Sequence, residues 1–444
     1  MQHDFTEGNI WRHLVVFSSP IMLTDLLQTS YQIVDSLWIG NLLGANALGA
    51  VAVSAALIFT VLSFVIGLNN ATLAILSQQK GRDDHAGLKN YLNAFVVILS
   101  VLVVILTVGG IWLAESLLRL LGTPEVMLAD ATLYLQINFI GILFLVGYNF
   151  ISAVLRSVGD SRTPLRFVSL AVILNIVLDP LFIAGFKLGI AGAAYATILS
   201  QGIAFLYGVY FVLRHKLAPF TLPSVPKWGE IKVILHVGIP SGLQMAVISA
   251  GLAAIMSVVT SFGEDVVGGF GAAQRIDSLI MLPAGALGTA VSSMAGQNIG
   301  ARNWRRVHAI TRYALVYNLI VMVLVGLVVY LFAEIGVRMF IQDAGAVQFA
   351  TNYLKTMAFF FPFLGINFVL NGVVRASGAM YQILILNIIS FWVLRYPLTA
   401  LFASWAGPQG IAYGMGASFV ISSIVATLYY VFGRWKKKQL FSEG

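Results

Sequence analysis

Residues 91–114 read Tyr-Leu-Asn-Ala-Phe-Val-Val-Ile-Leu-Ser-Val-Leu-Val-Val-Ile-Leu-Thr-Val-Gly-Gly-Ile-Trp-Leu-Ala, and no charged side chain interrupts them. At about 1.5 Å of rise per residue, such a run in helical form covers the roughly 30 Å of a bilayer's hydrocarbon core. Lipid offers no partner to a free backbone group, so only helices and closed barrels cross it. A continuous apolar run lacks the alternation of a barrel strand. Outward from this stretch the pattern repeats in about a dozen runs of comparable length. The chain is 59% hydrophobic and 10% charged, against about 25% charged in soluble domains. The fold class is an all-α polytopic membrane protein.

Twelve spans are expected, at roughly 14–38, 48–76, 91–114, 128–155, 165–185, 189–213, 231–261, 267–296, 309–333, 347–374, 380–404 and 409–433. The bases between them sort by side. Twenty fall on one face: Arg12, the groups around Lys80, Arg156, Arg214 and Arg302, then Arg375 and the tail from Arg434 to Lys438. Three fall on the other: Arg119, Lys187 and Arg338. By the positive-inside rule both termini are expected in the cytoplasm. The polar residues 1–12 precede an apolar run without a small-residue cleavage pattern, so the first helix is expected to remain in the membrane. The run Arg434-Trp-Lys-Lys-Lys reads as an anchor at lipid headgroups.

The chain is also written twice. Gln78 and Gly81 recur 219 residues later as Gln297 and Gly300, Ala131 and Tyr134 as Ala350 and Tyr353, and Arg156 and Gly159 as Arg375 and Gly378. Six spans per copy give both copies the same orientation, which places a substrate path between two lobes. The expected division is a six-helix lobe over 1–213, a linker over 214–229 with Pro219, Pro223 and Pro226, a second six-helix lobe over 230–433, and a basic tail over 434–444.

Ionisable residues at membrane depth are costly and mark function. Asp25, Asp35 and Asp179 fall in the first copy; Arg275, Asp277, Lys355 and Arg395 fall in the second. Asp35 and Asp179 have no acidic counterpart in the second copy. Tyr31 lies one turn from Asp35, and Asn175 one turn from Asp179, each on the same face. The sixth span brings Thr197 to a similar depth. These five groups suit a proton, which a buried carboxylate can take up reversibly, or a hard cation such as Na⁺ at Asp35 and Asp179. Asp25 faces either the lobe interior or the central cleft. In the second copy, structural pairing of Arg395 and Lys355 with Asp277 or with carbonyls is the favoured arrangement; the alternative is that these groups position an anionic substrate or gate the outer cleft. Two intramembrane prolines match between copies, Pro20 with Pro240 and Pro180 with Pro397. Each removes a helix hydrogen bond and permits a kink, so Pro20 is a candidate hinge.

Several classes are excluded or disfavoured. The absence of cysteine removes disulfides and thiolate metal sites. No phosphate-binding loop is present. The net charge of +8 is explained by loop orientation, so no nucleic-acid partner is expected. No enzyme activity, cofactor or resident metal is expected either.

The segments Tyr31-Gln-Ile-Val-Asp35-Ser-Leu-Trp38-Ile-Gly40 and Asn175-Ile-Val-Leu-Asp179-Pro180-Leu resemble the first- and fifth-helix signatures of the multidrug and toxic compound extrusion (MATE) transporters. The resemblance covers essentially the whole chain and is nearest to the DinF-like prokaryotic branch. It implies twelve helices in two lobes, and a monomer in the bacterial cytoplasmic membrane, in contact with membrane lipids. It further implies export of small lipophilic, mostly cationic drugs in exchange for H⁺ or Na⁺. The NorM-like branch carries an acid midway along the seventh helix; Pro240-Ser-Gly-Leu-Gln244-Met-Ala-Val-Ile248 has none, leaving Gln244 as a cleft candidate. The alternative within the superfamily is a lipid-linked oligosaccharide flippase or polysaccharide exporter, which would favour basic residues facing the cleft.

Overall fold

The computed structural model describes residues 3–438 and 440–441. Twelve helical rods follow in chain order. The first lobe holds α1 (Ile10–Leu43), α2 (Ala45–Gly81), α3 (His85–Leu120), α4 (Glu125–Ile140 continued by Ile142–Ser157), α5 (Arg162–Pro180 with Leu181–Gly185) and α6 (Gly189–Arg214). The second holds α7 (Trp228–Thr260), α8 (Glu264–Gly300), α9 (Trp304–Arg338) and α10 (Ala344–Met357 continued by Phe361–Ala376). It closes with α11 (Met380–Ile388, Ile389–Arg395 and Tyr396–Ala406) and α12 (Gly410–Phe432). Eight stretches are long and apolar enough to cross a membrane, or ten once the bent pairs in α4 and α10 are joined. Two more rods complete the twelve. Residues Met380–Phe432, one stretch in that count, double back at Gly407 to form α11 and α12. The polar-studded α1 is the other.

The repeat fixes the turns as well as the rods. Gly44 and Gly263 start α2 and α8 at φ of 88° and 92°, a backbone conformation that glycine adopts without a Cβ penalty. Asp84 and Asn303 cap α3 and α9, accepting from the backbone N–H of Gly87 and Arg306, which satisfies amides a helix start leaves open. The α4 and α10 rods bend by 50° and 56° at matching places. Pro20 does not break its helix: α1 runs from Ile10 to Leu43 with Pro20 inside, and the Thr24 hydroxyl donates to the Pro20 carbonyl at 2.7 Å.

The lobes meet at the end that carries the basic loops. One apolar core joins first-lobe residues such as Ile75 and Leu76 to Ala290, Val291, Met294 and Val307 of the second, whereas a separate core around Phe270, Tyr353 and Phe419 lies in the second lobe alone. Repeat-related residues face each other across the seam. Gln78 donates from Nε2 to the Ala376 carbonyl at 2.6 Å, and Gln297 donates from Nε2 to the Ser157 carbonyl at 3.0 Å. A Cβ on Gly81 would collide with the Gln297 carbonyl, and one on Gly300 with that of Gln78. The matched glycines therefore exist to let the α2 and α8 backbones touch.

An N-terminal strap covers this seam. The His3 amide donates to Gly159 O, Phe5 is fully buried, and the Phe5 carbonyl accepts from Asn298 Nδ2 at 2.9 Å and Arg306 Nε at 2.8 Å. One residue of the basic tail departs from the sequence reading. Trp435 is buried, donates to the Tyr430 carbonyl at 2.8 Å and stacks on the Tyr430 ring, so this tryptophan plugs the bundle instead of sitting among headgroups. Residues 1–2, 439 and 442–444 lie outside the described part.

Candidate functional site

In the first lobe α1, α5 and α6 bring the expected polar groups together. Asn175 Nδ2 donates to Asp179 Oδ1 at 3.2 Å and lies 3.4 Å from Thr197 Oγ1. The Asp35 and Asp179 carboxyl groups are neighbours. Asp35 is 9% and Asp179 0% exposed. Tyr31 lies near both acids and shares a cavity lining with Gln201. A cavity of about 10 Å³, lined by Gln28, Tyr31, Tyr148, Asn175, Thr197 and Gln201, adjoins them; such a volume holds roughly one water-sized particle.

Three buried oxygens of this cluster have no hydrogen-bond partner: Asp35 Oδ1, Asn175 Oδ1 and Asp179 Oδ2. Unpartnered buried acceptors are rare in folded proteins and point to a proton or ion. Two neighbouring carboxylates also repel unless a proton or cation sits with them. The donor set is all oxygen, as a hard cation requires.

The sequence missed four members of this neighbourhood. Gln28 donates to the Tyr148 hydroxyl at 3.1 Å, Gln201 lines the same cavity, and Tyr134 lies near Asp35. A polar residue on an otherwise apolar face was the available signal, at Gln28 and Gln201 above all.

Asp25 faces Arg156, with Oδ1 3.8 Å from Nη2. Arg156 was read as a loop base marking topology, but its side chain is 17% exposed; α4 continues past it to Ser157, which draws it into the lobe.

In the second lobe the expected pairing of Asp277 with Arg395 or Lys355 is not what forms. Asp277 Oδ2 accepts from the Tyr353 hydroxyl at 3.2 Å. Arg395 lies against the rings of Phe391 and Phe419, 3.8 and 4.6 Å from their centroids, and Nε donates to Ser418 Oγ at 3.3 Å. The Lys355 ammonium sits over the Tyr330 ring at 5.7 Å and the Arg275 guanidinium over the Phe340 ring at 5.7 Å. Aromatic faces attract cations, and in this aromatic-rich lobe they take the place of the carboxylate. Gln244 and Arg395 line one cavity of about 170 Å³ together with Arg375. Pro180 is followed directly by a π-helical turn, Leu181–Gly185, and Pro397 is preceded by another, Ile389–Arg395.

Comparison with known proteins places this geometry. The MatE family model matches twice, over residues 20–181 and 240–401. The chain is 60% identical over 441 residues to the probable multidrug resistance protein YpnP of Bacillus subtilis, covering 99% of both chains. It is 28% identical over 446 residues to the probable multidrug resistance protein YoeA of the same organism, covering 98% and 96%. Among solved structures, the outward-facing conformation of a multidrug resistance MATE family transporter superposes with a TM-score of 0.92 at 26% identity, covering 98% of each chain.

Proposed function

We propose, from the premise that the chain belongs to the MatE family of membrane transporters, that it is a multidrug exporter driven by ion exchange at the first-lobe acid cluster. The observation that carries this reading is the set of three unpartnered buried oxygens on Asp35, Asn175 and Asp179. The exchanged ion is H⁺ or Na⁺. The substrates are small amphiphilic drugs, chiefly cations.

The basic end is the cytoplasmic one by the positive-inside rule, in the cytoplasmic membrane of a bacterium. The lobes are then fastened on the cytoplasmic side. Every inter-lobe hydrogen bond described above lies there, and the Gly67–Gly242 backbone crossing of α2 and α7 stands about 21 Å in, fourteen residues along each helix. Ion entry from the outer side at Asp35 and Asp179 reshapes the lobe and favours the state that releases drug. Linkage requires the ion and the drug to prefer different states, since equal affinity for both shifts nothing.

The flippase alternative requires bases along a central cleft. Arg275 and Lys355 each rest against a ring of their own lobe, which favours the drug-export reading.

Everted vesicles carrying the protein should release a preformed ΔpH or Na⁺ gradient when tetraphenylphosphonium is added, with the two gradients imposed separately. If neither gradient responds to any cationic drug, the export reading fails.

A further inference from the structure

The cavity in the second lobe is built for the opposite charge. It measures about 170 Å³ and is lined by Gln244, Asn371, Arg375, Asn387, Ser390 and Arg395 among its polar groups, with Ile248, Leu252 and Phe368 among its apolar ones. Two guanidinium groups line it and no Asp or Glu does. Arg395 is only 4% exposed, and among the described residues no acid stands within ion-pair distance of Arg375 or Arg395. Arg375 Nη1 bonds the neutral Asn70 Oδ1 at 3.2 Å and its Nε has no partner. Its repeat mate Arg156 does have an acid, Asp25. Asp277 is bound to Tyr353 and is absent from the lining.

A buried charge without a counter-charge is costly, and two on one cavity exclude a permanent cation from it. The same pair favours an anion. Phe391 and Phe419 lie against the Arg395 guanidinium and its Nε donates to Ser418 Oγ, so the edge formed by the two terminal Nη groups remains as the bonding surface. That planar fork matches a planar carboxylate in two parallel bonds. The apolar walls fit a ring system of small size. The unpartnered Gln244 Oε1 and Asn371 Oδ1 accept from donors on the same molecule.

We propose that this cavity binds the carboxylate end of an aromatic amphiphile, so that the second lobe admits carboxylated and zwitterionic molecules beside the cations drawn to the first. As a statement about transported substrates this rests on the export reading above; as a statement about binding it stands alone. Arg375 also ties the cavity to the seam between lobes. Asn70, which accepts from Arg375, donates to Ser241 Oγ of α7 at 3.1 Å, so a carboxylate that draws Arg375 inward loosens a bond spanning the lobes.

The test is equilibrium binding to purified full-length protein in detergent, with no gradient and no transport, using 2-naphthoate, 2-naphthylmethanol and 2-naphthyl phosphate. Wild-type protein should bind 2-naphthoate at least tenfold more tightly than the alcohol. Arg395→Gln should abolish that preference. Ser390→Phe fills the cavity from α11 without touching the guanidinium chemistry and should abolish 2-naphthoate binding; it decides the matter if Arg395→Gln does not fold. Equal affinity for acid and alcohol, retained preference in Arg395→Gln, or retained binding in Ser390→Phe overturns the proposal. Tighter binding of the phosphate than of 2-naphthoate overturns the carboxylate assignment. Because no gradient enters, failure here leaves the vesicle experiment untouched, and failure there leaves this result standing.

Discussion

Asp179 and Arg395 each stand beside an intramembrane proline and a π turn in their own half of the chain, and carry opposite charges. Asp179 precedes Pro180 and the π turn Leu181–Gly185 on α5; Arg395 ends the π segment Ile389–Arg395 on α11, two residues before Pro397. Both are buried. A widened turn next to a proline re-aims a side chain into the lobe; beside it one half places an acid and the other a base.

Asp35→Asn or Asp179→Asn should reduce drug resistance to the level of cells without the protein while expression stays within twofold of wild type. Each amide keeps the shape of the carboxyl but removes the charge proposed to hold the exchanged ion. Minimum inhibitory concentrations together with immunoblots of membranes measure both. Full resistance in Asp35→Asn would remove that residue from coupling.

Gly81→Ala or Gly300→Ala should force the basic ends of the lobes apart, because each new methyl collides with a backbone carbonyl of the facing helix. The population closed at that end should fall at least tenfold, about 1.4 kcal/mol. The chain has no cysteine, so spin labels at Lys89→Cys and Arg312→Cys report the distance without background. An unchanged distance distribution would show that the glycines are not the contact.

Tyr353→Phe should destabilise the second lobe by about 1–3 kcal/mol, since it leaves the buried Asp277 without its hydroxyl partner. The readout is thermal unfolding in detergent. Restoration of the melting temperature by adding Asp277→Leu to Tyr353→Phe would show that the loss came from the stranded carboxyl and not from the missing hydroxyl itself.

The strap over the seam should loosen as pH falls. Burial holds the pKa of His3 below its ordinary 6.5, and the nearby Arg162 guanidinium lowers it further, with Arg12 in the same direction and Asp160 against. The docked strap therefore prefers neutral His3. Above pH 6.5 docked and free strap are both neutral and nothing is lost. As pH drops through 6.5 the free strap protonates first, so docking weakens progressively toward the lower docked pKa. A fluorophore at Thr6→Cys should become more mobile between pH 7.5 and 5.5, and His3→Gln should flatten that response.

The twelve rods, the two lobes and the level at which Asp35, Asn175, Asp179 and Thr197 meet were legible because apolar length, repeat spacing and helical rise are properties of the chain itself. Partner choice was not. The separation of Asp277 from Arg395 depends on which rings pack nearby, and Phe391, Phe419 and Tyr353 come from three different helices. Arg156 and Arg375 were read as loop bases because position near a span end does not say that α4 and α10 continue past them, to Ser157 and Ala376, and set them against Asp25 and Asn70. The matched Gln and Gly pairs were visible as a repeat; that they touch one another across the seam was visible only in three dimensions.

That reciprocal contact has a history written into it. Gln78 reaches the residue that repeats Ser157, and Gln297 reaches Ser157 itself, so each half offers the other the surface it receives. Such self-complementarity is the mark of an isologous pair of identical subunits. A six-helix ancestor bearing this one patch would already have been able to dimerise through it, before any linker joined the copies. Fusion then freed each half to change alone everywhere except here, where a substitution in one copy is felt at once by the other.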